Sequence, residues 1–359
     1  MSAVPAPVGG PDADAVWHYG DPLGEQRTAA QSVVVVDRSH RAAIQLTGAD
    51  RRTWLHTISS QHVSELPDGA VVENLSLDGQ GRVEDHWIQT QLDGVTFIDT
   101  EPWRAEPLLA YLRKMVFWSD VVVEPADLAV LSLLGPGVHQ RAVLDALEVE
   151  TLPAQFTATP LPGGGFIRTM GDDEVDLVVP RESTRDWHAR LVAAGVRPAG
   201  VWAYEAHRVA ALRPRLGVDT DERTIPHEVG WIGGPGEGAV HLDKGCYRGQ
   251  ETVARVHNLG KPPRMLVLLH LDGGPDRPVS GDPVLAAGRT VGRLGTVVDH
   301  VDLGPIALAL VKRGLTADVE LTTGGESEVP AAIDPDTLPE TDVIGAGRLA
   351  VERLRGGSR

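Results

Sequence analysis

The pair Pro262-Pro263 divides the chain into two textures, and this change constrains the fold more than any other feature. Upstream, hairpin-like strands mix with stretches of helical spacing. Downstream, only short strand candidates remain: Met265 to Leu271, Pro283 to Leu285, Val291 to Val298 and Ile306 to Val311. Gly, Pro and Asp turns separate them, which predicts a small all-β barrel. The upstream mixture predicts an α+β body rather than a doubly wound parallel sheet. The expected organisation is an N-terminal arm over residues 1–30, an α+β body over 31–261 and a barrel domain over 262–350.

Within the body, Val33 to Val36 and Ala43 to Leu46 read as strands. Gly48 to Ser59 reads as a helix, because Trp54, Leu55 and Ile58 share one face. Val83 to Thr90 and Val95 to Asp99 form an expected hairpin about Asp93-Gly94. Pro102 opens a helix, where its missing N–H does no harm, with Leu108, Leu109 and Leu112 as the buried stripe. Further strands are expected at Val121 to Val123 and Leu128 to Leu134, then a helix at Val138 to Leu147. A hairpin of Phe166 to Thr169 with Val175 to Val179 precedes helices at Thr184 to Ala194 and Val201 to Leu212. The polar segment after Asp318 carries no readable pattern.

Composition narrows the function classes. A net charge of −17 argues against broad contact with nucleic acid, whose phosphates it would repel. No run of about 18 uncharged apolar residues exists, so no membrane span is expected. The first ten residues lack a basic segment followed by an apolar one, and a cytoplasmic protein is the expectation. With a single cysteine, neither an intrachain disulfide nor a self-contained iron–sulfur cluster can form. No metal-ligand motif is present, and Gly233 to Gly238 lacks the spacing of a phosphate-binding loop, so a flexible loop is expected there.

That cysteine, Cys246, stands in Lys244-Gly245-Cys246-Tyr247-Arg248-Gly249-Gln250-Glu251. Glycines on either side let the backbone turn tightly and approach a ligand. Neighbouring cations favour a thiolate over a thiol. From His241 to Arg264, five cations face Asp243 and Glu251, a local charge of +3 in an acidic chain. On composition alone, however, a lone cysteine is more often a small buried hydrophobe.

The motif Lys-Gly-Cys-Tyr-x-Gly-Gln-Glu, continued by Val253-Ala254-Arg255, resembles the signature of the YgfZ family of folate-binding proteins. These are relatives of the glycine-cleavage T-protein, an aminomethyltransferase. His18 to Pro22, Gly81 to Asp85, Thr224 to Glu228 and Val291 to Thr296 are also similar to segments of that superfamily. The resemblance implies two intertwined α+β lobes around a central hole, capped by the barrel, with tetrahydrofolate or a derivative as cofactor. It implies Cys246 and Asp85 as the chemical residues, with Glu228 a second carboxylate able to pair with the edge of a pterin ring. Lys244, Arg255 and Arg264 are the implied partners of the anionic folate tail, and Gly245, Tyr247, Gly249, Gln250 and Glu251 complete the implied cofactor-binding set. Trp231 could stack on a pterin, with core packing the commoner role for such a residue.

Two departures bear on function. The T-protein carries an aromatic residue where Cys246 stands, which shifts the expectation away from aminomethyl transfer. Pro214 and Arg215 replace an acidic or small residue common in the family. The resemblance then implies a folate-dependent accessory for iron–sulfur enzymes, and through them for tRNA modification. The alternatives are a T-protein-like one-carbon transferase using Asp85, and a folate-binding module without chemistry.

Overall fold

The computed structural model describes residues 2–325 and 328–339. The N-terminal part contains β1 (Val4–Pro5), β2 (Val16–His18), α1 (Pro22–Gln31), β3 (Val34–Asp37), β4 (Ala42–Thr47) and α2 (Arg51–Ile58). Strands β5 (Val71–Leu77), β6 (Val83–Leu92) and β7 (Val95–Thr100) follow, then α3 (Ala105–Lys114), β8 (Val122–Ala126), β9 (Leu128–Leu134) and α4 (Arg141–Leu147). Next come β10 (Ala158–Pro160), β11 (Phe166–Gly171), β12 (Glu174–Pro180), α5 (Thr184–Ala193), β13 (Arg197–Ala199), α6 (Val201–Ala210) and α7 (Gln250–Leu259). The chain then forms β14 (Arg264–Leu271), β15 (Pro283–Ala286), β16 (Arg289–His300), β17 (Gly304–Lys312), β18 (Leu321–Thr323) and β19 (Val329–Ile333).

The strands build two open sheets and a barrel. One sheet has the order β5-β6-β7-β4-β8, the other β10-β11-β12-β9-β3-β13. Helices α2 and α3 cover the first, burying Trp54, Leu55, Leu108 and Leu112 against Trp87 and Ile98. Helices α4 and α5 cover the second, burying Val143, Leu147, Trp187 and Leu191 against Val35, Leu131 and Leu133. Phe166 and Val178 of one sheet meet Val71 of the other. The lobes are intertwined because the chain leaves β3 in the second sheet for β4 in the first and returns at β9.

The barrel expected after Pro263 is present and closed, in the order β14-β17-β16-β15-β18-β19. Strands β18 and β19 lie in the segment that carried no readable pattern. Only Leu321 and Thr323, with Val329 and Ile333, turn inward there, too few to register as periodicity. The expected barrel limit at residue 350 falls outside the described residues.

The N-terminal expectation needs correction. Residues 1–30 are not a loose arm: β1 pairs with β2, Trp17 packs on Trp202 at 5.3 Å, and α1 follows at once. Pro22 and the Asp21 cap, whose side chain accepts from the Gly24 N–H at 2.8 Å, start that helix. Asp21-Pro22 is thus a helix start.

Candidate functional site

Strands β5 and β6 pair antiparallel, with Leu75 opposite His86 and Ser76 opposite Asp85. Because side chains alternate along a strand, Asp85 and His86 point to opposite faces of the sheet. Two compartments result.

The outer compartment is a cleft of about 830 Å³, lined in part by Asp85, Trp103, Arg104, Tyr111, Arg248 and Arg293. Asp85 is buried, and its carboxylate accepts from Arg104 Nε at 2.8 Å and Ser76 Oγ at 2.8 Å. A carboxylate held by a guanidinium and a hydroxyl is fixed in orientation.

The signature segment adjoins this cleft. Lys244 points inward, where its Nζ donates to the carbonyls of His56, Ser59 (2.6 Å) and Gln61 (3.2 Å). These carbonyls end α2 and begin the following turn, so the ammonium acts as a helix C-terminal cap from a distant part of the chain. Burial pushes the Lys244 amine down to about 7. Tyr247 is buried in the apolar cluster with Val83, Trp231 and Val253, and burial raises its hydroxyl to about 12. Gln250 Nε2 donates to the Lys244 carbonyl at 3.0 Å and closes the loop. Between the two buried residues, Gly245 and Cys246 are exposed.

Gly249 and Gly81 bring two separately read motifs together. Both have positive φ, +85° and +76°. A Cβ on Gly249 would lie 2.6 Å from the Asp78 carbonyl oxygen and 2.9 Å from Gly81 Cα. Backbone meets backbone there, so nothing can move aside. Gly249→Ala is expected to cost about 1–3 kcal/mol through left-handed strain and this clash. Chemical denaturation measures it, and a loss below about 0.5 kcal/mol would mean the contact is not held in solution.

The positive island expected around Cys246 is largely neutralised. Arg248 pairs with Glu84 at 2.9 Å. Arg264 grips Glu228 through Nε (2.9 Å) and Nη2 (2.7 Å), and Asp221 through Nη1 (2.6 Å). Glu228 also accepts from the Ile225 N–H at 3.1 Å. Arg264 and Glu228 thus tie the segment before the signature to the first barrel strand, and they are engaged with each other rather than open to a ligand. Glu251 and Arg255 are exposed on α7. Of the sequence-derived site residues, Asp85 is the one that lines the outer cleft, and Arg248 of the signature lines it beside Asp85.

The inner compartment, on the other face of β5 and β6, is a cavity of about 290 Å³. Glu73, His86, Glu174, Arg213, Tyr204 and Trp231 line it in part. His86 Nε2 lies 2.7 Å from Glu73 Oε2, and the His86 ring stacks on Trp231 at 4.6 Å and 5° between planes. Glu174 receives Arg213 at 2.5 Å and Tyr204 Oη at 3.2 Å. Burial alone would raise the Glu174 carboxyl, but Arg213 and His207 overcome it and hold the group at about 2. Sequence reading missed Glu73, His86 and Arg213. The available signal was Glu73 itself, a carboxylate in the apolar strand Val71-Val72-Glu73-Asn74-Leu75.

An ionic lattice lies behind the cavity. Arg215 reaches Asp12 (3.0 Å), Glu101 (2.7 Å) and Glu205 (3.1 Å). Arg168 bridges Asp99 and Asp176, and Arg208 bridges Glu205 and Asp219. Asp219 accepts in turn from the Thr296 N–H of the barrel at 2.6 Å. The departure from the family pattern at Arg215 is therefore a hub joining the N-terminal segment, both lobes and the barrel side.

No protein-family model matches the chain. It is 28% identical over 321 residues to an Arabidopsis thaliana protein named only as a chloroplastic transferase, across 83% of this chain and 71% of that protein. It is 27% identical over 339 residues to an aminomethyltransferase of Stenotrophomonas maltophilia, covering 89% and 88% of the two chains. An aminomethyltransferase of Nitrosococcus oceani is 29% identical over 229 residues, across 61% of this chain and 62% of that one. Among solved structures, the glycine cleavage system aminomethyltransferase T from Bartonella henselae superposes with a TM-score of 0.80, covering 94% of each chain at 19% identity. That likeness is one of fold, and it extends over the lobes and the barrel alike. No helix among the described residues is long and apolar enough to cross a membrane.

Proposed function

We propose that this chain, whose fold is of the aminomethyltransferase type, binds a reduced folate and serves iron–sulfur enzymes as an accessory protein, with Cys246 as the group it offers to the partner. One observation carries the reading: Cys246 is the exposed point of a loop whose neighbours Lys244 and Tyr247 are anchored in the interior. A thiol held out in this way suits a transient bond to another molecule, either a mixed disulfide or one bond to a metal.

The residues present fit a folate. Arg82, Arg248 and Arg293 line the outer cleft and suit an anionic glutamate tail, while Trp103 and Tyr111 supply flat apolar walls. A bound tetrahydrofolate supplies nitrogens that carry a one-carbon unit. The chain's own part is to bind and orient it and to hold Asp85 in place at the cleft wall.

A second reading has its own support. The curated relatives named aminomethyltransferase, together with Asp85 in the cleft, favour transfer of a one-carbon unit to the folate. Against it stands the engagement of both Asp85 oxygens, one by Arg104 and the other by Ser76.

Cys246→Ser separates the readings. Being exposed, the substitution is expected to change stability by less than about 0.5 kcal/mol. Folate affinity should stay unchanged, while support of an iron–sulfur enzyme in cells lacking the wild-type chain should disappear. Full support by the serine variant would sink the accessory reading. Turnover of an aminomethyl donor that vanishes in Asp85→Asn would establish the second.

A further inference from the structure

We propose that the aromatic tip Phe117-Trp118, together with the hollow beside it, is the surface through which two copies of this chain associate. The proposal is independent of the folate and thiol readings, because the tip shares no residue with either.

The tip lies between α3 and β8. Trp118 is 98% exposed and Phe117 73%, with the two ring centroids 6.3 Å apart. Single exposed apolar residues are ordinary, but adjacent exposed aromatic rings mark a surface built for contact. Phe117 also has a left-handed backbone, with φ of +47°. A bulky residue is strained there, and such strain persists only where the surrounding structure enforces it.

The surroundings do enforce it. Trp54 Nε1 of α2 donates to the Met115 carbonyl at 2.7 Å, and Met115 and Val116 pack against the core of the first lobe. On the far side, the Asp120 N–H donates to Asp50 Oδ2 at 2.8 Å, and the Ala49 N–H donates to Asp120 Oδ2 at 3.1 Å. The tip is held out from both ends, so its exposure is a fixed feature of the surface.

The patch complements itself, which favours a second copy as its occupant. Beside the tip is a hollow of about 550 Å³, lined in part by Trp54, Thr57, Ile58 and Met115. Pockets of about 300–1,000 Å³ hold small ligands, so an aromatic side chain has room to enter. A knob and a hollow side by side are what a two-fold contact needs, since both copies use the same patch.

Area and charge agree with this occupant. A buried aromatic side chain covers about 150–250 Å², so these two rings offer roughly 300–400 Å² per copy. That is close to half of the roughly 800 Å² each partner contributes to a stable interface, and the half-exposed Val122 of β8 adds to it. The net charge of −17 would repel a copy at long range. Next to the tip, however, Arg51, Arg113 and Lys114 stand with Asp50, Asp120 and Glu124, three charges of each sign. The contact is therefore locally neutral, and charges beyond about 8 Å are screened at physiological salt. Strand β8 is an edge strand, but Glu124 and Pro125 blunt it against backbone pairing, which leaves the contact to the side chains of the tip.

The test is sedimentation velocity of the full chain from dilute to concentrated solution, under reducing conditions that exclude a dimer bridged by Cys246. The wild type should show a concentration-dependent monomer–dimer equilibrium. Trp118→Asp should weaken association by about tenfold or more, as for an aromatic anchor at the centre of an interface. Phe117→Gly should also weaken it without lowering the thermal midpoint of the monomer, because glycine takes the left-handed conformation freely. Circular dichroism shows whether each variant is folded, and Trp118→Ser replaces the aspartate variant should that one fail. A wild type that stays monomeric at every concentration overturns the proposal, as does a dimer that these variants leave unchanged. A monomer whose tryptophan emission shifts to the blue on phosphatidylcholine vesicles, with no shift in Trp118→Asp, overturns it in favour of a lipid surface.

Discussion

Replacing Arg215 by alanine is expected to lower the unfolding free energy by about 3–5 kcal/mol, the usual consequence of removing one partner from a buried ion pair. The side chain is 9% exposed and faces three carboxylates at once. After its removal Glu101 keeps Arg41, Glu205 keeps Arg208 and Asp12 keeps His40, so each carboxylate is left under-compensated rather than bare. The Arg215 guanidinium also lies 5.5 Å from the Trp103 ring, which would lose a cationic neighbour. Methionine should not rescue the loss, because the three carboxylates remain. The effect has an acid signature. Burial alone would raise the Glu101 carboxyl, but Arg215 and Arg41 hold it at about 2 against an ordinary 4.5. A depressed carboxyl stabilises fully above its unfolded value, and that contribution fades as pH falls toward 2. The difference between wild type and Arg215→Ala should therefore be greatest above pH 5 and shrink on acidification. Urea denaturation across that range measures it, and a difference below about 1 kcal/mol at neutral pH would contradict the hub.

Lys244→Met should cost about 2–4 kcal/mol, since three carbonyls lose the donor they share and charge-assisted hydrogen bonds carry more than neutral ones. The signature loop should loosen with it, and alkylation of Cys246 should change rate. The pH dependence has the same sign as that of Arg215 but lies in a higher window. The folded amine titrates near 7 and an unfolded lysine near 10.5, so between these values the unfolded chain binds more protons. Stability of the wild type relative to Lys244→Met should rise with pH across that window. A flat difference from pH 7 to 10 would mean the ammonium is not desolvated as the geometry implies.

Much of the fold was legible because its signals are local. The Asp93-Gly94 turn, the Pro102 start and the change at Pro262-Pro263 all act within a few residues. The hidden parts depend on distant partners. Strands β18 and β19 exist because β15 and β14 offer edges to pair with, and runs of three to five residues are too short to carry a period of their own. Asp12 looked like one acid in a loose arm, yet Arg215, more than 200 residues away, draws it inside.

The site shows the same division. The motif around Cys246 was readable, and its thiol is exposed, unlike the buried hydrophobe that composition alone favours. The roles of its neighbours were not, because a lysine's sequence position does not reveal whether it faces a ligand or the end of a helix. Lys244 proves to be a cap, and Arg248 and Arg264 are engaged by Glu84, Asp221 and Glu228. Asp85 and His86 are adjacent in sequence but serve different compartments, a consequence of strand alternation that becomes useful only once the two faces are known.

The central claim is that this chain binds a reduced folate, and the most direct measurement is titration of the purified full chain with tetrahydrofolate under reducing conditions. The account predicts saturable binding at one site, unchanged in Cys246→Ser. Absence of binding to the folded wild-type chain would contradict it.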